Sequence, residues 1–278
     1  MRIHPRYTQG GAVAVLGGAT ILTLMILVFI IFFILEKGLP VINLNFLTSN
    51  PEDMGRAGGI FPTLIGTILL PLLAIIIATP LGIFTSVYLS EYTKETKVTK
   101  VIRFGTDCLA GIPSIIFGLF GYIFFVITLG FGWSIISGGL TLAVMILPTI
   151  IRTSEEAIKS VPKSYREVSF SLGATSWQTV KKVILPNALP GIVTGIMLSV
   201  GRSIGETAAV IFTAGSSLRI PSSVFDSTRT MAVHFYILAR EGISAENAYG
   251  TAATLIIAVL IVNLSAYWLM NRFIAKRS

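Results

Sequence analysis

Six apolar runs, at residues 12–35, 63–89, 109–129, 134–151, 189–214 and 248–273, dominate this chain. Most meet the rule of about 20 apolar residues for crossing a bilayer as a helix; the run at 134–151 is the shortest. Inside lipid every backbone N–H and C=O needs an internal partner, so runs of this length read as helices. The fold class is all-α integral membrane. A composition of 53% hydrophobic and 12% charged residues supports this, since soluble domains carry about 25% charged residues. Arg2 and Arg6 precede the first run as in a secretory signal, but the run exceeds the usual apolar core of about 7–15 residues and no small-residue cleavage site follows. The run is expected to be a retained span.

The net charge of +8 does not point to nucleic acid, because the basic residues alternate between sides of the membrane. Arg2, Arg6, Lys94, Lys97, Lys100, Arg103, Arg152, Lys159, Lys163, Arg166, Lys181, Lys182, Arg272, Lys276 and Arg277 share one side. Lys37, Arg56, Arg219, Arg229 and Arg240 share the other. The positive-inside rule places the first group, and both termini, in the cytoplasm. The single Cys108 forms no internal disulfide and reads as a buried, inert thiol at the start of a span. His4 and His234 fall on opposite sides and have no companions at metal-ligand spacing.

The residues that most need explaining are Arg202 and Glu206, in the middle of the fifth run. A charge at mid-bilayer costs about 2.5–3.5 kcal/mol on insertion scales, so such residues face a bundle interior or a wet path. Their spacing of four puts them on one helical face, in the order less favourable for helix support. Gly201 and Gly205 have the small-xxx-small spacing that admits a neighbouring helix. Two readings stand: a structural ion pair, or a polar element of a solute path.

Residues 36–62 and 215–247 form the larger external segments, the first turn-rich with Pro40, Pro51, Gly55, Gly58 and Gly59. In the second, Met231, His234, Phe235 and Leu238 form an amphipathic stripe, lying along the membrane, under a partner or against the bundle. Pro71, Pro80, Pro113 and Pro148 predict kinks or breaks within spans. The segment 152–187 is too polar to span. Ser164-Tyr165-Arg166-Glu167 reads as a capping box that starts a short helix, ended by a left-handed turn at Gly173. Thr175-Ser176-Trp177-Gln178 starts a second helix, with an apolar stripe at Trp177, Val180 and Ile184, and Leu185-Pro186 is expected to stop it. A helix, glycine turn, helix unit on the cytoplasmic side fits a groove on a soluble partner, or is simply a surface loop.

Glu167-Val168-Ser169, Gly173 and Val183-Ile184-Leu185-Pro186 resemble the coupling motif of ATP-binding-cassette importer permeases, with Val168 and Ser169 replacing two alanines and Val183 an isoleucine. The resemblance extends over nearly the whole chain and is closer still to PstA-type phosphate permeases. It is carried by residues 58–63, 88–92, 110–121, 151–156 and 201–207. It implies a single six-span type I importer domain over residues 1–278, with coupling helices within 152–187, that forms a path with a PstC-like permease. It further implies a PstB-like ATPase dimer and a PstS-like external phosphate-binding protein. Its polar path falls on Arg202, Glu206 and Arg152, and its ATPase contact on Glu167, Gly173, Leu185 and Pro186.

The chemistry agrees with that implication. Arginine offers a rigid fork of donors for phosphate oxygens, and a carboxylate competing for the guanidinium would leave the site weak enough for passage. Arg152 would be the exit partner, although any arginine there also serves orientation. No Gly-x-x-x-x-Gly-Lys-Ser/Thr loop occurs, so ATP must be handled by a partner. The alternatives are a permease for sulfate or molybdate and, in a different class, a proton-coupled transporter with Glu206 as relay. A membrane enzyme fits least, for want of a nucleophile and base or a metal cluster.

Overall fold

The computed structural model describes residues 5–275; Arg2, His4, Lys276 and Arg277 of the charge pattern lie outside them. Among the described residues five helices are long and apolar enough to span a membrane, and a sixth span arises if a bent pair is taken together. The first, α1 (Pro5–Gly38), stands apart. None of its most apolar stretch is buried within the chain, so Leu24, Phe29 and their neighbours need lipid or another protein as cover. It meets the bundle only near its end. There Gly38 lies against Tyr249 and Ala253, and Lys37 Nζ sits 4.7 Å from the centre of the Phe33 ring and 5.3 Å from that of Tyr249.

A short helix α2 (Leu44–Thr48), capped by the Asn43 side chain, and a hairpin of β1 (Pro51–Glu52) and β2 (Ala57–Gly58) follow. The hairpin turn holds Gly55 at φ +99°, where a Cβ would also lie 2.6 Å from His234 Cε1. α3 (Phe61–Val87) passes through Pro71 and Pro80 without a break and runs into a wide turn over Tyr88–Tyr92. It packs chiefly on α6 (Ile135–Ser160), the most buried span. Leu70, Ala74 and Ala78 of α3 meet Leu142, Met145, Ile146 and Ile150 of α6 in the main core. The span shortest in sequence is therefore the axis of the bundle. It extends through Ser160 because Ser154, Ala157 and Ile158 keep its inner face buried beyond the apolar run.

Between these spans, α4 (Lys97–Ala110) is amphipathic and opens with a reciprocal Thr96–Thr99 capping box; Cys108 lies near its end and is exposed, not buried at the start of a span, because it belongs to this amphipathic helix. It meets α5 (Ser114–Gly121), prolonged by a wide turn to Thr128, at a bend of 101°. The break falls at Gly111–Pro113, where proline excludes helical backbone at the preceding residue. Two short helices, α7 (Lys163–Ser171) and α8 (Ser176–Thr179), lie at the basic end of the bundle. Leu185-Pro186 does not stop α8. A wide turn over Val180–Ile184 leads directly into α9 (Leu185–Ile204), so that Ser176–Ile204 is one continuous helix. Pro186 follows directly on the wide turn, where Leu185 N reaches back five residues to Val180 O, and this local widening accommodates a proline within the continuous helix.

The fifth span also ends earlier than its hydropathy indicates. α9 stops at Ile204, and after Gly205 to Thr207 a separate helix, α10 (Ala208–Thr213), enters the core through Ala209 and Val210. The amphipathic segment forms α11 (Met231–Arg240) and packs on the bundle. Met231, His234 and Leu238 are buried, and Phe235 borders the surface. α12 (Ala245–Ala275) is the last span. Asn247 Nδ2 ties its start to the hairpin turn by bonds of 2.9 Å to Gly55 O and 3.0 Å to Arg56 O.

Candidate functional site

At the basic end, α7 begins at Lys163 with Pro162 at its cap and no side-chain capping bond, so the expected box at Ser164 to Glu167 does not form. Pro162 at ψ 138° supplies the extended entry itself, which leaves Ser164 inside the first turn. The second box forms as read: Gln178 N donates to Thr175 Oγ1 at 3.3 Å, and Thr175 N to Gln178 Oε1 at 2.9 Å. Between them Gly173 adopts φ +78°. Its N–H reaches Phe170 O at 2.9 Å and that of Ala174 reaches Ser169 O at 3.2 Å, the paired bonds of a Schellman turn. Glu167 points to the surface, and Leu185 and Pro186 are half-buried at the start of α9.

The two helices are held to each other and to the bundle. Ser169 Oγ and Thr179 Oγ1 are 2.9 Å apart and buried. Arg166 Nη2 donates to Glu91 Oε1 at 2.7 Å and to Ile158 O at 3.0 Å, and its Nη1 donates to Val161 O at 2.7 Å. One guanidinium thus joins α7 to the ends of α3 and α6. The apolar stripe of the second helix divides: Val180 and Ile184 enter a core with Val87, Ile158 and Ala188, and Trp177 stays outside. Val168, Phe170, Leu172 and Trp177 are exposed around Gly173, Leu172 at 82%. These side chains offer a firmly anchored apolar knob to a partner.

Arg152 lies in a charged cluster between α4 and α6. It is 3.4 Å from both Asp107 and Glu156, in pairs whose side chains are 59–69% exposed. Such long, wet pairs contribute about 0–1 kcal/mol and leave the guanidinium available. Beside it, Glu155 is nearly buried and receives Arg103 Nε at 2.8 Å and Lys159 Nζ at 2.6 Å.

Arg202 and Glu206 are not brought together. Glu206 falls in the break after α9, and its Oε1 accepts from Ala209 N at 3.2 Å, capping α10. Arg202 is in the last turn of α9 and opens onto a cleft of about 370 Å³ lined by Thr194, Leu198, Val259, Asn263 and Tyr267. Among the described residues its guanidinium makes no ion pair or hydrogen bond. The one-face geometry fails because Gly205, read as a packing glycine, ends the helix before Glu206 is reached. Gly201 and Gly205 are likewise not a close helix contact within this chain: a Cβ at Gly201 would find Asn263 Oδ1 only at 3.9 Å. That role belongs to Gly191 and Gly195, which lie against Ala157 and Thr153 of α6, also four apart. The same small-xxx-small signal was present there. Arg166, counted only as an orientation charge, was the other residue that sequence reasoning missed; a glutamate at the end of an apolar span, Glu91, was its signal.

At the opposite end, Arg229 Nε donates to Ser216 O at 2.9 Å, and its Nη1 lies 3.3 Å from His234 Nδ1. Burial, and then the Arg229 charge, hold the His234 imidazole well down, at about 4, so the ring is neutral.

Residues 78–278 match the family described as binding-protein-dependent transport system inner membrane component. The chain is 36% identical to the probable ABC transporter permease protein YqgI of Bacillus subtilis, over 96% of each protein. It is 40% identical to the phosphate transport system permease protein PstA 1 of Mycobacterium tuberculosis, over 82% of this chain and 74% of that one. Its fold matches a subunit of a bacterial ABC transporter that imports alginate, with a TM-score of 0.69 at 15% identity over 97% and 99% of the two chains. It also matches one of the MetNI methionine ABC transporter in an inward-facing conformation, with a TM-score of 0.62 at 21% identity over 77% and 94%.

Proposed function

Because the chain belongs to the binding-protein-dependent inner membrane components, among ABC importer permeases of the PstA type, we propose that it is the transmembrane subunit of an ATP-driven importer of inorganic phosphate. The observation that carries the substrate path is Arg202, a cation within a span, open to a cleft and held by no carboxylate among the described residues. A guanidinium at that depth needs an anion or water, and its fork of donors matches phosphate oxygens. Release is then governed by wetting of the cleft and not by Glu206, which caps α10 here. Arg152 serves as the exit residue, and its weak exposed pairs exchange readily with a passing anion.

Residues 1–278 form one permease unit, with 152–187 as its ATPase contact. The exposed Val168, Phe170 and Leu172, the turn at Gly173 and the neighbouring Glu167 enter a groove on the ATPase, and Leu185 with Pro186 carries the second helix into α9. ATP hydrolysis belongs to that partner pair. A second permease covers α1, whose apolar surface is unburied, and an external binding protein delivers phosphate to the end bearing α11. The basic end and both termini face the cytoplasm.

The test is phosphate uptake into proteoliposomes holding the whole importer. Wild-type uptake should require ATP and be indifferent to a proton gradient, and Arg202→Gln should abolish it in a complex that still assembles. Uptake at the wild-type rate in Arg202→Gln, or uptake driven by a proton gradient alone, would sink the assignment. Preference for sulfate or molybdate by the wild type would reassign the substrate.

A further inference from the structure

Asn263 and Tyr267 on α12 are polar side chains inside an apolar span, one turn apart, and both line the cleft onto which Arg202 opens. Val259, Asn263 and Tyr267 stand at i, i+4 and i+8, facing Thr194, Leu198 and Arg202 at the same intervals on α9. Gly201 faces Asn263 across this cleft, and Asn263 Oδ1 would lie 3.9 Å from a Cβ placed there, an ordinary van der Waals distance. On the same helix Thr254 and Ser265 satisfy their hydroxyls on their own backbone, by bonds of 2.8 and 2.9 Å to Gly250 O and Val262 O. Asn263 does not. It is half-buried, and among the described residues its amide makes no hydrogen bond. An amide left unpaired at hydrocarbon depth is strongly disfavoured, so this one requires a partner that enters the cleft.

Arginine presents donors only and accepts nothing, whereas an asparagine amide both donates and accepts. Inorganic phosphate near neutral pH retains at least one proton, which needs an acceptor; sulfate retains none. Glu206, the nearest carboxylate in sequence, is turned away to cap α10. We propose that Asn263 is a specificity-determining residue of this cleft, its amide N–H bonding one oxyanion oxygen and its carbonyl oxygen accepting the proton that phosphate keeps, with the Tyr267 hydroxyl as a second donor. The proposal rests on Arg202 lying in the path, as argued above.

The experiment uses the complete importer in proteoliposomes. Asn263→Leu should slow phosphate uptake about tenfold, the loss expected for one hydrogen bond to a charged ligand. Asn263→Gln should recover part of it. In a Cys108→Ser background, Asn263→Cys should react with a water-soluble anionic thiol reagent, more slowly in the presence of inorganic phosphate and unchanged by sulfate. If Arg202→Gln is inactive but Asn263→Leu transports normally and Asn263→Cys is unreactive, Asn263 faces lipid or a subunit, and the proposal fails with the Arg202 reading intact. Equal protection by both anions would leave Asn263 in the path but overturn its selectivity. Normal uptake by Arg202→Gln would remove the reading on which the proposal stands.

Discussion

Replacing Arg166 with methionine should loosen the anchored knob without ejecting any span. The substitution removes donors from Ile158 O and Val161 O, at about 1 kcal/mol each, and leaves Glu91 charged without its partner. Breaking a fully buried pair costs about 3–5 kcal/mol. With side chains 18% and 13% exposed the pair is partly wet, so the ionic part is smaller and the whole effect comes to about 3 kcal/mol. If opening is local to α7 and α8, that raises the open population about 150-fold. Hydrogen exchange at the amides of Gly173 and Ala174, whose bonds to Phe170 O and Ser169 O close the turn, reads this directly. Glu91→Gln keeps both carbonyl bonds and should raise exchange only about fivefold. The double variant Glu91→Leu with Arg166→Met should recover only the ionic share, about fivefold, because a matched apolar pair leaves no uncompensated charge but Ile158 O and Val161 O still lack their donors. Exchange in Arg166→Met within about threefold of wild type would refute the argument, as would a Glu91→Gln effect of equal size.

Gly195→Leu should lower the melting temperature of the purified protein, since overpacking against Thr153 costs about 1–3 kcal/mol or more, whereas Gly201→Ala, with its nearest neighbour at 3.9 Å, should be nearly silent. The His234 imidazole, held at about 4 against an ordinary 6.5, binds its proton more readily when unfolded. Its stabilising contribution is thus complete above the ordinary value and lost as the pH falls towards 4, at up to about 1.4 kcal/mol per pH unit. Thermal stability across that window should therefore be steeper in wild type than in His234→Gln, which keeps an acceptor for Arg229; equal slopes would exclude the effect. Single cysteines at Lys97 and Ser222, in a Cys108→Ser background, should label only from the cytoplasm and only from outside respectively, and reversed labelling would invert the orientation.

The spans were legible because membrane insertion depends on summed hydropathy, a property that local detail barely alters. Their interruptions were not. Gly205 resembles a packing glycine in sequence, and only the structure shows it ending α9, with Glu206 turned to Ala209 N. Leu185-Pro186 reads as a stop, but the preceding wide turn accommodates the proline within a continuous helix. Gly173 and the Thr175 box were readable, since a positive φ and a reciprocal pair of bonds are local demands. The Arg166–Glu91 bond spans 75 residues of sequence, and α4 was hidden within what looked like a basic loop. Arg202 stood out in the sequence as a charge within an apolar run, but its company on α12 depends on how two distant helices meet.

The continuity of α8 and α9 has a mechanical consequence. Ser176–Ile204 is a single rod of 29 residues, about 43 Å long at about 1.5 Å per residue. One end carries Trp177 at the exposed knob, and the other carries Arg202. A stop at Pro186 would have placed a hinge between them and let the knob rock while the cleft stayed still. Moved as one body, the rod would act as a lever: a tilt of about 10° about its middle carries each end about 4 Å, in opposite directions. Whatever grips the knob thus acts on the guanidinium through one continuous helix, whose points of flexure are the wide turn over Val180–Ile184 and Pro190 inside α9.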